Sequence, residues 1–322
     1  MKSIGKLTAL ALCALMIAFS AFQAGAAGSY FYSEGFYYGV ENKEAFVHGY
    51  QGEESDVVIR EKFLSYYVTS VESFAFFENE TVQTLSLYDA TMLNSLGQCA
   101  FNGCINLKYV EIPSSVQTLG DSVFDGCTSL SYVRFRDGSA AQLPVQAFCE
   151  CSSLKTVLFE NDLTSIGDRA FYGCALLSEL ELPETTEMIG DYAFANCGSL
   201  QKIVIPARDT EISDTAFSGC DNVTVYCYYG STAHLYAKEK NIPYVLLDNA
   251  RLGDANGDGV VNINDVTAIQ RHLAELTLLE GVRFYAADSN QDGKLDISDA
   301  TNLQLFFAEY DIQDPIGEIM TQ

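Results

Sequence analysis

Apolar positions recur along the middle of the chain with a period of 23 to 25 residues. The segment IGDRAFYGCALLSELELP, residues 166–183, is followed by IGDYAFANCGSLQKIVIP, residues 189–206. A unit this short cannot bury its own apolar side chains, whereas stacked units bury them in one continuous core. The pattern therefore predicts an α/β solenoid of about seven coils, each marked by one buried phenylalanine. These are Phe76, Phe101, Phe124, Phe148, Phe171, Phe194 and Phe217.

Each repeat carries a short alternating segment, for example KYVEIP at residues 108–113. Alternation predicts a strand with Val110 and Ile112 inward and the residues between them outward. The outward positions of two successive coils mix aromatic and charged groups, a composition favoured at protein interfaces. They are candidate ligand-binding residues, and a merely solvated sheet is the alternative. The candidates are Tyr109, Glu111, Tyr132 and Arg134.

Both ends of the repeat array carry capping patterns. Residues 30–58 are aromatic and alternating, which predicts an edge hairpin, and residues 230–247 predict a short helix followed by a last strand. The array with its caps is predicted to span residues 28–248. Residues 249–252 form a short linker, so the next module is expected to be closely tethered.

The C-terminal part contains two loops rich in Asp, Asn and Gly, which start 34 residues apart (288 minus 254). Both place oxygen donors at loop positions 1, 3, 5, 7, 9 and 12 and a glycine at position 6, the arrangement that a calcium ion requires. One such stretch is compatible with an ordinary turn, but two complete copies predict two Ca²⁺ sites. The ligands are Asp254, Asn256, Asp258, Val260, Asn262 and Asp265, then Asp288, Asn290, Asp292, Lys294, Asp296 and Asp299, with Val260 and Lys294 using their backbone carbonyls.

The same apolar spacing follows each loop, which predicts an amphipathic helix in both places. No convincing helix precedes either loop, so each motif is predicted to be a loop followed by a helix. The predicted buried stripes are Val266, Ile269, Leu273 and Leu276, then Ala300, Leu303, Phe307 and Tyr310.

These two motifs, residues 253–313, resemble a type I dockerin, the calcium-dependent module that attaches subunits to cohesins of the cellulosome scaffold. The resemblance implies a small all-α calcium-binding module, a cohesin partner and a tail at residues 314–322. Recognition positions 18 and 19 differ between the halves, Arg271-His272 against Leu305-Phe306, which predicts one preferred docking face. The alternative is that Phe306 packs against the other helix or against the C-terminal tail near Ile312. The implied cohesin-binding residues are Ile263, Asn264, Arg271, His272, Ile297, Ser298, Leu305 and Phe306.

The repeats carry a cysteine three residues after the phenylalanine, as in Cys104 and Cys127. They resemble the BspA-like leucine-rich repeats of secreted and surface proteins. The first unit departs from this pattern, with Asn79 in place of Cys and Glu72 in place of Gly, and such coils are expected to turn differently. Disulfides between coils are one interpretation; parallel rungs point their Cβ atoms the same way, which favours a ladder of buried free thiols.

The N-terminus resembles a secretory signal peptide, residues 1–27. Lys2 and Lys6 precede an apolar run at residues 7–21, and small residues follow at 24–26. The run is too short to predict a membrane span. The chain is therefore expected to be secreted and extracellular, and the dockerin resemblance implies a cellulosome-associated protein of an anaerobic bacterium. The net charge of −25 argues against nucleic acid and anionic membranes as partners. No membrane insertion is expected.

No catalytic residues are predicted, because the chain offers no defensible acid, base or nucleophile. His48, His234 and His272 are expected to be surface residues. The sequence favours a non-catalytic recognition or adhesion protein, associated with polysaccharide degradation, whose repeats bind a protein, a cell-surface component or a plant-wall polymer. In the alternative, the repeat region is a hydrolase or a protease-inhibitor-type regulator.

Overall fold

The computed structural model describes residues 29–160, 162–247, 251–279, 282–309 and 314–318. The predicted signal peptide, Tyr310 and Ile312 lie outside these residues. The described residues divide into two compact units, one within Met1–Gln201 and Ser213–Asn222 and the other within Lys202–Ile212 and Val223–Gln322.

The first unit opens with the predicted edge hairpin. Strands β1 (Ser29–Ser33), β2 (Phe36–Glu41) and β3 (Glu44–Tyr50) pair antiparallel in that order. Strand β3 then pairs in parallel with β6 (Tyr66–Val71), and β5 (Lys62–Phe63) lies antiparallel to β6. The chain thus passes from a hairpin into parallel coils.

The coils contribute two kinds of short strand. Five strands of the first kind pair in parallel in one sheet, whereas strands of the second kind pair in two other sheets. The first kind comprises β4 (Asp56–Val58), β7 (Thr84–Ser86), β9 (Tyr109–Ile112), β11 (Tyr132–Phe135), β13 (Thr156–Phe159) and β15 (Glu179–Glu181). The second comprises β8 (Ser95–Leu96), β10 (Thr118–Leu119), β12 (Gln142–Leu143), β14 (Ser165–Ile166) and β16 (Met188–Ile189).

A continuous column of phenylalanine rings forms the core of this unit and confirms the solenoid. Successive rings from Phe76 to Phe217 stack with centroids 4.8 to 5.5 Å apart. Tyr50 of the hairpin stacks on Phe76 at 5.1 Å and closes the column. Aromatic stacking therefore runs from the cap through every marked coil, which is how units too short to fold alone share one core.

The cysteines form a second ladder beside the phenylalanines. All nine cysteines of the described residues are free thiols. In six coils the Sγ–H group donates to the carbonyl of a phenylalanine in the preceding coil, as from Cys151 to Phe124 at 3.1 Å. The same bond joins Cys104, Cys127, Cys174, Cys197 and Cys220 to Phe76, Phe101, Phe148, Phe171 and Phe194. Each thiol thus satisfies a buried carbonyl as well as filling space.

The two departures in the first repeat have local explanations. The Oδ1 atom of Asn79 accepts the N–H groups of Thr81 and Val82, both at 2.9 Å, and so closes this turn without a thiol. Glu72 pairs with Nδ1 of His48 at 2.5 Å. His48 is 9% exposed, so the prediction that it lies at the surface is wrong. A buried polar ring needs such a partner.

The second unit begins with the last strands of the repeats and their cap. It contains β17 (Lys202–Ile205), β18 (Glu211–Ile212), β19 (Thr224–Cys227), helix α1 (Thr232–Lys240) and β20 (Tyr244–Leu246). Strands β17, β19 and β20 pair in parallel. Helix α1 and strand β20 are the short helix and last strand that the sequence predicts for this cap. The second histidine prediction is also wrong: His234 in α1 is 2% exposed, and its Nδ1 accepts the N–H of Gly230 at 2.9 Å.

Three helices follow: α2 (Ile263–Leu273), α3 (Val282–Ala287) and α4 (Ile297–Phe307). Helix α3 ends directly before the second loop, so the prediction that no helix precedes either loop is wrong for that loop. Leu273 and Leu276 are 37% and 72% exposed, because α2 ends at Leu273 and the predicted stripe runs past it. The core of these helices includes Leu252, Val266, Ile269, Leu279, Ala286, Ala300, Leu303 and Ile316, with Phe307 packed against it.

Candidate functional site

The first loop curls around the carboxylate of Asp254. Its oxygens accept the N–H groups of Gly257, Asp258 and Gly259 at 2.8, 3.1 and 2.8 Å. Gly259 has φ = +83°, the left-handed conformation that a glycine adopts without strain, and its missing side chain leaves open space. The sequence folds this way because short Asp and Asn side chains bond to the backbone two to five residues on.

The second loop repeats the same geometry. The carboxylate of Asp288 accepts the N–H groups of Asp292 and Gly293 at 3.1 and 2.9 Å. Gly293 also has φ = +83°. Asn290 accepts from Asp292 at 3.0 Å, just as Asn256 accepts from Asp258 in the first loop. Two loops of one sequence pattern therefore share one fold.

Each loop closes through the aspartate at position 12, which lies in the first turn of the following helix. Asp265 accepts the N–H groups of Asn262 and Asn256 at 2.7 and 3.0 Å, and Asp299 accepts that of Asp296 at 2.9 Å. Position 9 is the N-cap of α2 and α4 in the two copies, and it forms a capping box with position 12. The same residues thus end the loop and begin the helix.

The position 12 carboxylates are buried. Burial raises the pKa of Asp265 despite its two backbone donors, and the charges of Asp254 and Asp258 raise it further. Burial also raises the pKa of Asp299, to which the charge of Asp288 adds. A divalent cation would favour the ionised form of all these groups.

The donor chemistry of both loops fits Ca²⁺, which takes six to eight oxygens from carboxylates, amides and backbone carbonyls. Among the described residues no three His, Cys, Asp or Glu side chains stand close enough to hold an ion by themselves. In both loops the carboxylate oxygens accept backbone N–H groups. The predicted calcium ligands also include amide oxygens and backbone carbonyl oxygens. The glycine at position 6 already has the required turn.

The predicted cohesin-binding positions fall into two environments. Ile263 and Ile297, at the starts of the two long helices, are 60% and 63% exposed. Leu305 and Phe306 are each 37% exposed, and Phe306 contacts the ring of Phe307 at 5.5 Å. These four residues give the helical pair an apolar outer surface.

The polar members of that set make contacts inside the module. Nδ1 of His272 accepts the N–H of Leu279 at 3.0 Å, and Arg271 donates to Thr277 at 3.1 Å. Ser298 donates to Asp296 at 2.6 Å and accepts from Asn290 at 2.9 Å, while the N–H of Asn264 is bound by Asn262. His272 is therefore not a free surface residue.

The four candidate ligand residues of the repeats lie together on the outward face of the sheet. Tyr109 stacks on Tyr132 with ring centroids 5.2 Å apart and 19° between the planes. The hydroxyl of Tyr109 donates to Glu111. Burial opposes ionisation of Glu111, but hydrogen bonds from Tyr109 and Arg136 outweigh it and lower the pKa of this carboxyl group.

Two further residues complete a charge network that the sequence analysis missed. Arg136 donates to Glu111 from Nε and Nη2 at 3.2 and 3.0 Å. Arg134 is bound to Glu160, and Arg136 lies 3.7 Å from the other oxygen of Glu160. The signal was available, because Arg136 lies two residues beyond Arg134 and continues the same outward alternation.

A groove of about 560 Å³ opens beside this network. The groove is lined by residues of β7 and by residues that lie on or directly after the next three strands of the sheet. Of the predicted ligand residues, Tyr109 and Glu111 line it, whereas Tyr132 and Arg134 do not. The lining also includes Thr84, Ser86, Tyr88, Arg136, Asp137 and Glu160.

The cap of the repeats contacts the calcium-loop module within the second unit. Tyr229 meets Tyr285 of α3 edge-on, with ring centroids 5.7 Å apart. Tyr229 and Leu246 both pack against the helical core. Tyr229 also contacts the ring of His234 at 4.8 Å. The cap and the helices therefore share apolar packing.

Comparisons with known proteins agree with this architecture. Residues 58–141 and 141–234 match the family described as BspA type Leucine rich repeat region, in six copies. Residues 252–306 match the Dockerin type I domain. Type I dockerins bind calcium, and both matched regions are non-catalytic module types. No curated protein matches the chain.

Two solved structures are similar to parts of this chain. A leucine-rich repeat protein from Eubacterium ventriosum is 25% identical with a TM-score of 0.53, over 59% of this chain and 49% of its own. The chain thus spans about half the length of that protein. A T. pallidum leucine-rich repeat protein is 20% identical with a TM-score of 0.48, over 67% of this chain and 97% of its own.

No helix among the described residues is long and apolar enough to cross a membrane.

Proposed function

Because this chain belongs to the BspA-type leucine-rich repeat proteins and carries a type I dockerin domain, we propose that it is a non-catalytic recognition subunit of a cellulosome-type complex. The observation that carries the proposal is the pair of matching loops around Asp254 and Asp288. The dockerin implies a cohesin partner. The repeats supply a binding surface and the dockerin attaches it to a scaffold.

Two calcium ions hold the dockerin in its cohesin-binding form under this proposal. The donor sets of the two loops are equivalent, so we assign one ion to each. The ligands are the twelve loop residues predicted above, with Asp265 and Asp299 closing the two shells. The exposed apolar residues Ile263, Ile297, Leu305 and Phe306 would then contact the cohesin, since burying exposed apolar side chains against a partner is favourable.

The repeat region is proposed to bind a protein or polymer ligand on the outward face that contains Tyr109 and Tyr132. Aromatic and arginine side chains dominate binding energies at interfaces. The ion pairs and the tyrosine stack hold these side chains in place before a ligand arrives, which lowers the entropy lost on binding. We place the protein outside the cell, in keeping with the predicted signal peptide, and expect an association with polysaccharide degradation.

The test is capture of the full-length protein by a panel of immobilised type I cohesins. We expect capture in calcium and release in excess chelator. A variant with Asp254→Ala and Asp288→Ala should lose capture, whereas Asp214→Ala, outside the loops, should keep it. Failure of every cohesin to retain the calcium-loaded protein would refute the anchoring function. Hydrolysis of polysaccharide or casein by the purified protein would refute the non-catalytic assignment.

A further inference from the structure

The groove on the outward face is a slot above strand β7. Thr84 and Ser86 place only short hydroxyl side chains on this rung. Tyr109, a much larger side chain on the next rung, is in register with Thr84. Tyr88, 77% exposed, lines the slot beyond the end of β7. A rung of small residues beside the large ring of Tyr109 therefore produces the cavity.

One wall of the slot is an open aromatic face. Tyr132 covers one side of the Tyr109 ring, with the planes 19° from parallel. The other side of the ring consequently faces the β7 rung, where Thr84 is too short to cover it. The hydrogen bond from the Tyr109 hydroxyl to Glu111 holds the ring in this orientation. The slot thus offers a flat, preorganised aromatic surface above a hydroxyl-bearing floor.

The charges beside the slot are paired. Arg136 bonds to Glu111 at 3.0 Å and approaches Glu160, which binds Arg134. Three carboxylates of the lining, those of Glu111, Glu160 and Asp137, outnumber its one arginine, Arg136. Arg134, outside the lining, offsets one of these negative charges through its ion pair with Glu160. The chain as a whole carries −25, so an anionic polymer would be repelled. The lining favours a neutral ligand that forms hydrogen bonds.

A bound peptide fits these features poorly. Peptides that add a strand need an unpaired sheet edge, and β7 is paired on both sides, with β4 and β9. Peptides that bind by apolar anchors need apolar pockets, but Leu85 and Leu87 of the lining are 3% and 2% exposed. Apart from Pro113, the accessible lining consists of tyrosine rings, hydroxyls, carboxylates and a guanidinium group.

We propose that this slot binds a neutral carbohydrate chain, with the C–H face of one sugar ring on Tyr109. Sugar hydroxyls donate to Glu111 and Glu160 and accept from Arg136, whose groups retain hydrogen-bonding capacity beyond the ion pairs. The cavity of about 560 Å³ lies within the usual range for small-ligand sites. The proposal rests on the proposed function, in that it takes the outward face as the ligand site, and adds the class of ligand.

The experiment is affinity electrophoresis of the calcium-loaded full-length protein in native gels. The gels contain xyloglucan, mixed-linkage β-glucan or galactomannan as neutral probes, or polygalacturonate as an anionic probe. Ser86→Trp fills the slot, and Tyr109→Ala removes its aromatic wall. Leu158→Trp is the matched control, because Leu158 is 44% exposed on β13 and lies outside the lining.

We expect at least one neutral polysaccharide, and not polygalacturonate, to retard the protein. The dissociation constant should rise about tenfold or more in Ser86→Trp and Tyr109→Ala, and stay within about twofold in Leu158→Trp and Tyr109→Phe. Circular dichroism of each variant verifies folding. No retardation by any neutral probe, or equal retardation of wild type and Ser86→Trp, would overturn the proposal.

A second arm separates this proposal from the proposed function. The same samples are tested for cohesin capture and for capture of denatured casein. If the slot variants lose casein binding while no glycan binds, the recognition face stands and the carbohydrate assignment is overturned. If the wild-type protein binds a glycan but no cohesin, the anchoring function is refuted and the carbohydrate assignment of the slot is supported.

Discussion

Tyr229 of the repeat cap meets Tyr285 of the calcium-loop module edge-on, with ring centroids 5.7 Å apart. Gly230, the next residue, has φ = +70°, and a Cβ atom there would overlap the ring of Tyr285. The closeness of this contact depends on glycine. The cap and the dockerin are joined by side-chain packing as well as by the chain.

Gly230→Ala should therefore destabilise the cap and the dockerin together. The added methyl group meets Tyr285 and the backbone lies in the left-handed region, so we expect a loss of about 1 to 3 kcal/mol in the free energy of unfolding. Chemical denaturation in calcium measures it. The control is Gly198→Ala, where a Cβ meets nothing within 4 Å. Equal stability of the two variants would contradict the proposed packing.

Calcium removal should loosen more than the two loops. The neighbouring carboxylates repel one another without the ion, and metal binding is coupled to folding. We expect hydrogen exchange in excess chelator to show lost protection across residues 253–309. Residues 229–246 should lose part of theirs, because Tyr229 and Leu246 pack on the dockerin core. The coils between Phe101 and Phe194 should keep full protection and serve as the internal reference.

The cap should lose stability in acid through His234. Burial, assisted by the charge of Lys238, lowers the pKa of this ring to about 4. The unfolded chain binds the proton near pH 6.5 and the folded chain only near pH 4, so stability falls as pH drops through that interval. The effect is of the order of 3 kcal/mol at most.

The measurement compares wild type with His234→Gln, which retains an acceptor for the Gly230 N–H group. Denaturation is followed at pH 7.5 and 4.5 in saturating calcium. The loss of stability between the two pH values should be smaller in the variant. An identical loss in both proteins would show that His234 is not the group responsible.

The thiol ladder should be unreactive until the solenoid unfolds. Burial raises the pKa of Cys104, Cys127 and Cys151, and the thiolate is the reactive form. A thiol reagent should reach only the half-buried Cys99 in the native protein. In denaturant without reductant, all nine cysteines from Cys99 onward should react. A much lower number would mean that disulfides form.

The dockerin is expected to dock chiefly through helix α4, which follows the second loop. Leu305→Asp with Phe306→Asp should weaken cohesin binding by well over about 1 kcal/mol, because a charge replaces an exposed apolar contact. Arg271→Ala should change it little. We use Arg271 alone as the control, since His272 holds the N–H of Leu279 and its loss would disturb the module. Calorimetry with a cohesin measures both, and equal losses would indicate interchangeable faces.

Periodic features of this protein could be predicted from the sequence because their chemistry is local or repeated. The spacing of the phenylalanines implies stacking, since a coil of 23 residues has no other way to bury Phe171 or Phe194. The alternation of Asp, Asn and Gly implies the calcium loops, because those side chains bond to backbone groups a few residues away. The outward direction of Tyr109 followed from strand parity alone.

Contacts between segments distant in sequence were decided only by the tertiary structure. His48 and His234 belong to no periodic pattern in the sequence. Their burial became apparent only when the fold placed Glu72 beside His48 and Gly230 beside His234. The end of α2 at Leu273 depends on packing, because the apolar spacing continues to Leu276. The slot above β7 arises because short side chains on one rung lie beside Tyr109 on the next rung. The contact between Tyr229 and Tyr285 arises because the helices after the cap pack back against it. Such sites depend on which rungs and helices become neighbours, and sequence periodicity carries no information about that.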